Sequence, residues 1–129
     1  ITLTTGEKVT NQPKMDEGVV LYFFTTYCVP CIKEMDEMKK IQPQYRSKSR
    51  LIAIDVDPIE DKEKIEKFKK EHLHVVDFAL ADKEVFFAFQ ATHPGIKIGI
   101  NSKGVVVSRT EAQSDQNEWK DLFKAVTSS

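Results

Sequence analysis

The sequence predicts an α/β domain with a mixed central β-sheet flanked by helices. Apolar segments of strand length alternate with amphipathic stretches, and the last two strand candidates are separated only by Ser102-Lys103-Gly104. Alternating strands and helices are typical of parallel strands joined by right-handed crossovers. A short turn can join only antiparallel strands, so the last pair should make the sheet mixed.

Length and composition favour a single globular domain over residues 1–129. Hydrophobic residues make up 40% of the chain and the net charge is -1, which argues against disorder. The near-neutral charge also argues against nucleic-acid or anionic-membrane binding as the main function. The longest apolar run, residues 19–24, is far shorter than the roughly 20 residues that span a bilayer. The chain begins at Ile1 rather than at a methionine, so the sequence leaves room for a signal peptide or an N-terminal anchor before Ile1.

The first half of the chain is expected to contain a hairpin, a strand and a helix. Residues 1–9 alternate in polarity around Gly6 and predict an N-terminal β-hairpin. The continuous apolar run 19–24 predicts a strand covered on both faces. After the cysteines, apolar residues recur every three positions, which predicts an amphipathic helix that Pro43 should end. These apolar residues are Ile32, Met35, Met38 and Ile41.

In the second half, residues 51–56 predict a buried strand, 59–70 a charged helix and 75–80 a short strand. Residues 83–91 contain three phenylalanines and suit either a short helix or an apolar turn, in the core or as a docking patch. Residues 95–101 alternate and predict a strand with one buried face, paired with 105–107. A closing helix over 115–126 should place Trp119 in the core.

The two cysteines, Cys28 and Cys31, are separated by two residues at the start of the first predicted helix. Two cysteines cannot form a disulfide framework. A structural zinc site needs four protein ligands, and no histidine lies near the pair in sequence. The three histidines are His72, His74 and His93.

This position suits redox chemistry. The first turn of a helix brings residues i and i+3 together, within the reach of a disulfide. Free N–H groups and the positive helix end stabilise a thiolate there. We therefore expect Cys28 to be the nucleophile and Cys31 the resolving thiol, with Pro30 in a turn where a missing N–H costs little. The alternative is a pair of ordinary half-buried thiols.

The run VLYFFTTYCVPCIKE, residues 20–34, resembles the TlpA/ResA-like thiol-disulfide oxidoreductases. The similarity covers nearly the whole chain, including the N-terminal hairpin and a helix–strand insertion around residues 57–80. It implies a thioredoxin-like fold. It also implies disulfide exchange with cysteine pairs of other proteins, without a cofactor or a metal.

The same resemblance implies a cellular setting. Such proteins act as extracytoplasmic reductants, for example in the maturation of cytochrome c or of metal-site cysteines. The electron source would be an upstream membrane or soluble thiol reductant.

The resemblance also carries over supporting residues. Pro94 is the candidate for a cis-proline that would set the backbone of His93 beside the disulfide; a trans proline opening a strand is the alternative. Glu34 corresponds to an acid that manages protons near Cys31, unless it is a solvated surface residue. Tyr27 replaces a tryptophan and is either a lid beside Cys28 or a surface aromatic.

Three further departures from the family pattern matter. Tyr22 stands where thioredoxin itself has a buried aspartate, so proton handling must differ. The stretch 94–104 is one residue longer than usual, and His93 precedes the proline. Histidine changes charge near neutral pH, so we hypothesise that His93 favours the Cys28 thiolate.

Two other functions remain open. A copper-binding chaperone of the same fold would bind Cu(I) through the two thiolates, with His93 as a further ligand. A peroxidase would need a threonine and a matching arginine close to the reactive cysteine. Thr25 lies three residues before Cys28, but no arginine in the sequence can be assigned to it.

Overall fold

The computed structural model describes residues 17–45, 47–72, 76–91 and 93–127. Within them, five strands form one sheet in the order β3-β2-β1-β4-β5. The strands are β1 (Gly18–Phe24), β2 (Ser49–Asp55), β3 (Asp77–Ala79), β4 (Lys97–Ile100) and β5 (Val106–Thr110). The helices are α1 (Val29–Ile41), α2 (Lys62–Glu71), α3 (Lys83–Phe89) and α4 (Gln116–Thr127), and a short 3-10 turn, Gln42–Gln44, follows α1.

The sheet is mixed, as the sequence predicts. The central strand β1 pairs in parallel with β2, and Gly18 lies opposite Ser49. Its other edge pairs antiparallel with β4, which in turn pairs antiparallel with β5. The α2–β3 insertion adds the outer parallel strand beside β2. The expected N-terminal hairpin lies outside the described residues.

Both faces of the sheet are covered because β1 is apolar along its whole length. All seven of its residues are buried. Val20, Tyr22 and Phe24 face a core shared with α1, α2 and α4, whereas Val19, Leu21 and Phe23 belong to the core on the opposite face, against which α3 packs. The two-sided burial explains why β1 shows a continuous apolar run rather than an alternation.

Several predicted boundaries shift for local reasons. Helix α1 ends at Ile41, two residues before Pro43, as expected. Helix α2 begins at Lys62 rather than 59, because the Asp61 side chain caps it by accepting the Lys64 N–H at 2.9 Å. Segment 83–89 is a helix whose Phe87 is exposed while its neighbours pack on the core. Strand β5 covers 106–110 rather than 105–107.

The prediction that β4 buries one face is wrong. Every residue of β4 is buried, including Lys97, whose side chain is fully shielded. The alternation of isoleucines placed Lys97 on a solvated face, but α1 and α4 cover that face of the sheet. In the part of the chain that the structure describes, no helix is long and apolar enough to cross a membrane.

Candidate active site

The cysteine pair lies where β1 passes into α1. After Phe24, the chain turns at residues 25–28, and Cys28 becomes the N-cap of α1. Its sulfur accepts the N–H of Cys31 at 3.2 Å. The two cysteines form a disulfide, with Cα atoms 5.2 Å apart. Pro30 lies in the first turn of α1, as predicted.

The two sulfur-bearing residues differ in exposure. Cys28 is partly exposed and is followed by the exposed Val29 and Pro30, whereas Cys31 is 1% exposed. A thiol of another protein can therefore approach Cys28 but not Cys31. This asymmetry matches the roles expected for a nucleophilic and a resolving cysteine.

Glu34 is a buried residue, not a solvated surface residue. Its carboxylate accepts from the Tyr22 hydroxyl at 2.5 Å, from the Lys97 ammonium at 2.7 Å and from the Ser114 N–H at 2.8 Å. Three donors, one of them charged, therefore hold the carboxylate in a fixed position. Because Glu34 lies three residues after Cys31 on α1, this carboxylate is close to the resolving cysteine.

Lys97 is the residue that sequence reasoning missed at this site. Its ammonium donates to Glu34 and to the carbonyls of Gly95, at 3.0 Å, and Ala112, at 2.9 Å. It also lies 5.5 Å from the ring centroids of Tyr22 and Trp119, a favourable position for a cation. The signal in the sequence was a lysine inside an otherwise apolar strand.

Tyr22 links this network to the disulfide. Its hydroxyl donates to Glu34 and lies 3.5 Å from the carbonyl oxygen of Cys31. Burial, together with the Glu34 carboxylate, raises the pKa of Tyr22 far above its usual value. Tyr22 is thus a neutral donor here, in the place where thioredoxin has an acid.

Pro94 is not a cis-proline, contrary to the expectation. No cis peptide bond occurs among the described residues, so the bond between His93 and Pro94 is trans. Gly95 follows with φ 101°, and proline followed by a left-handed glycine is typical of a type II turn, which needs no cis bond. The turn is held to β1, because Gly95 N–H donates to the Phe23 carbonyl at 2.7 Å.

His93 and Tyr27 both occupy exposed positions. His93 has its Nε2 3.1 Å from Glu111 Oε1 and its Nδ1 3.2 Å from the Pro94 carbonyl oxygen. Tyr27 is 65% exposed, and its hydroxyl donates to Asp57 at 2.9 Å. This hydrogen bond raises the pKa of Tyr27. Tyr27 therefore connects the cysteine loop to the loop after β2.

An acidic group beside the cysteine loop was not predicted. Asp55, at the end of β2, and Glu60 are both buried, and Glu60 accepts the Thr26 N–H at 3.0 Å and also the Thr26 hydroxyl. Burial, and the hydrogen bond and charge of Glu60, raise the pKa of Asp55 to about 8. The available signal was an acidic residue ending a buried strand at the edge where α/β sheets collect functional groups.

The remaining sequence candidates are structural. Trp119 is fully buried and donates to the Glu34 carbonyl at 2.8 Å. His72 stacks on Phe68, with ring centroids 4.5 Å apart, whereas His74 lies outside the described residues.

Comparison with known proteins identifies the family. The AhpC/TSA family profile matches residues 2–113. Thioredoxin-like protein YneN of Bacillus subtilis is 37% identical over 59 residues, which are 46% of this chain and 35% of that protein. Thiol-disulfide oxidoreductase ResA of Bacillus thuringiensis subsp. konkukian is 26% identical over 98% of this chain and 73% of its own length.

A solved structure shows the same fold. The thiol:disulfide interchange protein of Chlorobium tepidum superposes with a TM-score of 0.81 and 18% identity, covering 98% of this chain and 90% of the other. Together with the cysteine pair at the start of α1, these matches confirm the thioredoxin-like fold inferred from residues 20–34. The chain belongs to the AhpC/TSA family, as a thioredoxin-fold member of the ResA/TlpA-like kind.

Proposed function

We propose that this chain is a thiol-disulfide oxidoreductase that exchanges the Cys28–Cys31 pair with cysteine pairs of other proteins. The observation that carries the proposal is a partly exposed cysteine bonded to a buried one at the start of a helix. Relatives named thiol-disulfide oxidoreductase support it.

In the reducing direction, the Cys28 thiolate attacks a sulfur of the substrate disulfide, and the other substrate sulfur leaves as a thiolate. A mixed disulfide results. The Cys31 thiolate then attacks the Cys28 sulfur and releases the second substrate thiolate. The substrate gains two electrons, and the chain ends with the Cys28–Cys31 disulfide.

The start of α1 assists the first step. The Cys31 N–H that donates to the Cys28 sulfur in the disulfide form can donate equally to a thiolate. The positive end of the helix acts on the same atom. Both effects raise the fraction of Cys28 present as thiolate and make Cys28 a better leaving group.

Glu34 is the buried acid nearest to Cys31 along α1, three residues on, and Cys31 is shielded from water. Tyr22, Lys97 and the Ser114 N–H hold its carboxylate in place. Lys97 also cancels the carboxylate charge, so a Cys31 thiolate does not form beside an uncompensated negative group. We assign Lys97 and Tyr22 as positioning residues for Glu34.

Pro94 and its neighbours are proposed as the docking side for the substrate. The Pro94 turn is held to β1 through Phe23, the strand that leads into the cysteine loop. An extended peptide beside this turn could pair with the backbone of the exposed His93. Similarity to ResA-like proteins further supports an extracytoplasmic reductant, supplied by an upstream thiol reductant and acting on cytochrome c or metal-site cysteines.

The reduction of insulin disulfides by the wild type, Cys28→Ser and Cys31→Ser tests the activity. We expect Cys28→Ser to be inactive and Cys31→Ser to accumulate a mixed disulfide, because its resolving thiol is missing. Activity that survives Cys28→Ser would refute the proposal. A tight stoichiometric Cu(I) complex without dithiol turnover would instead favour the copper-binding module.

Equilibration with glutathione tests the direction of electron flow. A potential near that of thioredoxin, about -270 mV, is expected for a reductant, whereas about -120 mV would mark an oxidant.

A further inference from the structure

The loop that presents Cys28 is held by the loop between β2 and α2. Both oxygens of the Glu60 carboxylate bind Thr26, one through the backbone N–H and one through the side-chain hydroxyl. The next residue, Tyr27, donates to Asp57. The two residues that precede Cys28 are therefore both bonded to acidic side chains of a single loop.

Asp55 lies behind this contact and is fully buried. Its Oδ1 accepts the Asp57 N–H at 2.8 Å, while its Oδ2 finds no donor among the described residues. Among the described residues, the side chain that acts most strongly on Asp55 is Glu60, another carboxyl group. Two carboxylates cannot hydrogen bond to each other, but a carboxylic acid and a carboxylate can.

The charges around Asp55 favour a proton at this position. The groups acting on it are Glu60 and Asp57, both acidic, and the Asp57 N–H is the only influence in the opposite direction. From the helix that follows, Lys64 acts on Asp57, which also accepts from Tyr27. Without a proton, a buried carboxylate with an unpaired oxygen would lie beside a second buried carboxylate, which is costly.

We infer that Asp55 and Glu60 share one proton, and that this pair positions Thr26 and hence the Cys28 sulfur for disulfide exchange. The effect on disulfide exchange rests on the proposed function. The shared proton does not depend on that function. The raised pKa of Asp55, about 8, agrees with a shared proton. When the shared proton is lost, the two carboxylates are both negatively charged and repel each other. This repulsion weakens the hydrogen bonds between Glu60 and Thr26.

Carbon-13 NMR of the side-chain carboxyl groups tests the shared proton in the disulfide form, where no thiol titrates. We expect a carboxyl of the pair to titrate near pH 8 in the wild type. In Glu60→Gln the Asp55 signal should titrate at lower pH, because the charge of Glu60 is lost and the new amide can donate to an ionised Asp55. If both carboxyls are ionised below about pH 6, the inference is wrong.

The pH dependence of Cys28 alkylation in the reduced protein tests the positioning role. Asp55→Asn keeps a neutral donor beside Glu60 at every pH, and Glu63→Gln, an exposed acid on α2, is the charge-matched control. We expect the alkylation rate per thiolate to change around pH 8 in the wild type and in Glu63→Gln. In Asp55→Asn the rate per thiolate should show no such change. Coincident profiles for all three proteins would overturn the positioning role.

These outcomes are separable from a failure of the proposed function. Insulin reduction that survives Cys28→Ser would remove the oxidoreductase assignment and leave the carboxyl titration untouched. Ionised carboxyls in the disulfide form would remove the shared proton and leave the exchange activity intact.

Discussion

The Lys97 ammonium lies 2.7 Å from the Glu34 carboxylate, and the two side chains are 0% and 2% exposed. The ion pair joins β4 to α1, 63 residues apart in sequence. Removing one member of such a pair leaves a buried charge without a partner, which costs far more than the pair itself contributes.

Lys97→Met should therefore destabilise the protein by about 3–5 kcal/mol, as measured by urea unfolding. The double variant Glu34→Gln/Lys97→Met should recover much of this loss, because neither charge remains buried. Lys103→Met, at an exposed turn, is the control and should have little effect. A double variant as unstable as the single one would show that packing, rather than the unpaired charge, causes the loss.

Only Cys28 should react rapidly with iodoacetamide in the reduced protein, because Cys31 is 1% exposed. Mass spectrometry of the alkylated peptide, after separate digestion of Cys28→Ser and Cys31→Ser, measures each thiol. We expect Cys31→Ser to be labelled quickly and Cys28→Ser slowly. Equal labelling rates would contradict the assignment of Cys28 as the attacking sulfur.

Stability should depend on pH through Asp55. Its pKa is raised to about 8 in the folded protein, whereas an unfolded aspartate ionises near pH 4. Folding therefore takes up a proton between these values, and the free energy of unfolding falls as pH rises, by at most about 1.4 kcal/mol per unit. The contribution is fully present below about pH 4 and is lost above about pH 8.

The comparison of wild type with Asp55→Asn isolates this contribution, since the amide does not titrate. We expect the difference in unfolding free energy between the two proteins to shrink steadily from about pH 5 to pH 8. Urea unfolding at several pH values measures it. Parallel stability curves would show that Asp55 is ionised in the folded protein.

His93→Ala should shift the pH dependence of Cys28 alkylation only slightly. Both ring nitrogens have partners, Glu111 and the Pro94 carbonyl, and the Glu111 carboxylate offsets a positive imidazole. Coincident curves would remove the hypothesis that His93 favours the thiolate. A clear shift to higher pH in His93→Ala would support that hypothesis instead.

Much of the fold was predictable because it rests on local signals. The apolar run of β1, the helical spacing after Cys31 and the turn at 102–104 each specify an element from neighbouring residues alone. The cysteine spacing likewise predicts a pair at a helix start, since i and i+3 meet in the first turn of any helix. The partial exposure of Cys28 and the burial of Cys31, in contrast, depend on how α1 packs on the sheet.

The partners of the site were not predictable, because they meet only when distant segments pack. The spacing of Ile96, Ile98 and Ile100 hides Lys97, whose burial depends on α1 and α4 covering the sheet. The turn at Pro94 is set by the glycine after it and by its bond to Phe23.

The sequence by itself determined the fold class and the proximity of the two cysteines, since each depends on residues a few positions apart. Tertiary structure alone decided the environment of the charges: Glu34 against Lys97, and Asp55 against Glu60. A charge is stable or costly according to its solvation and its nearest partners. Those are properties of the packed chain, which no spacing along the sequence contains.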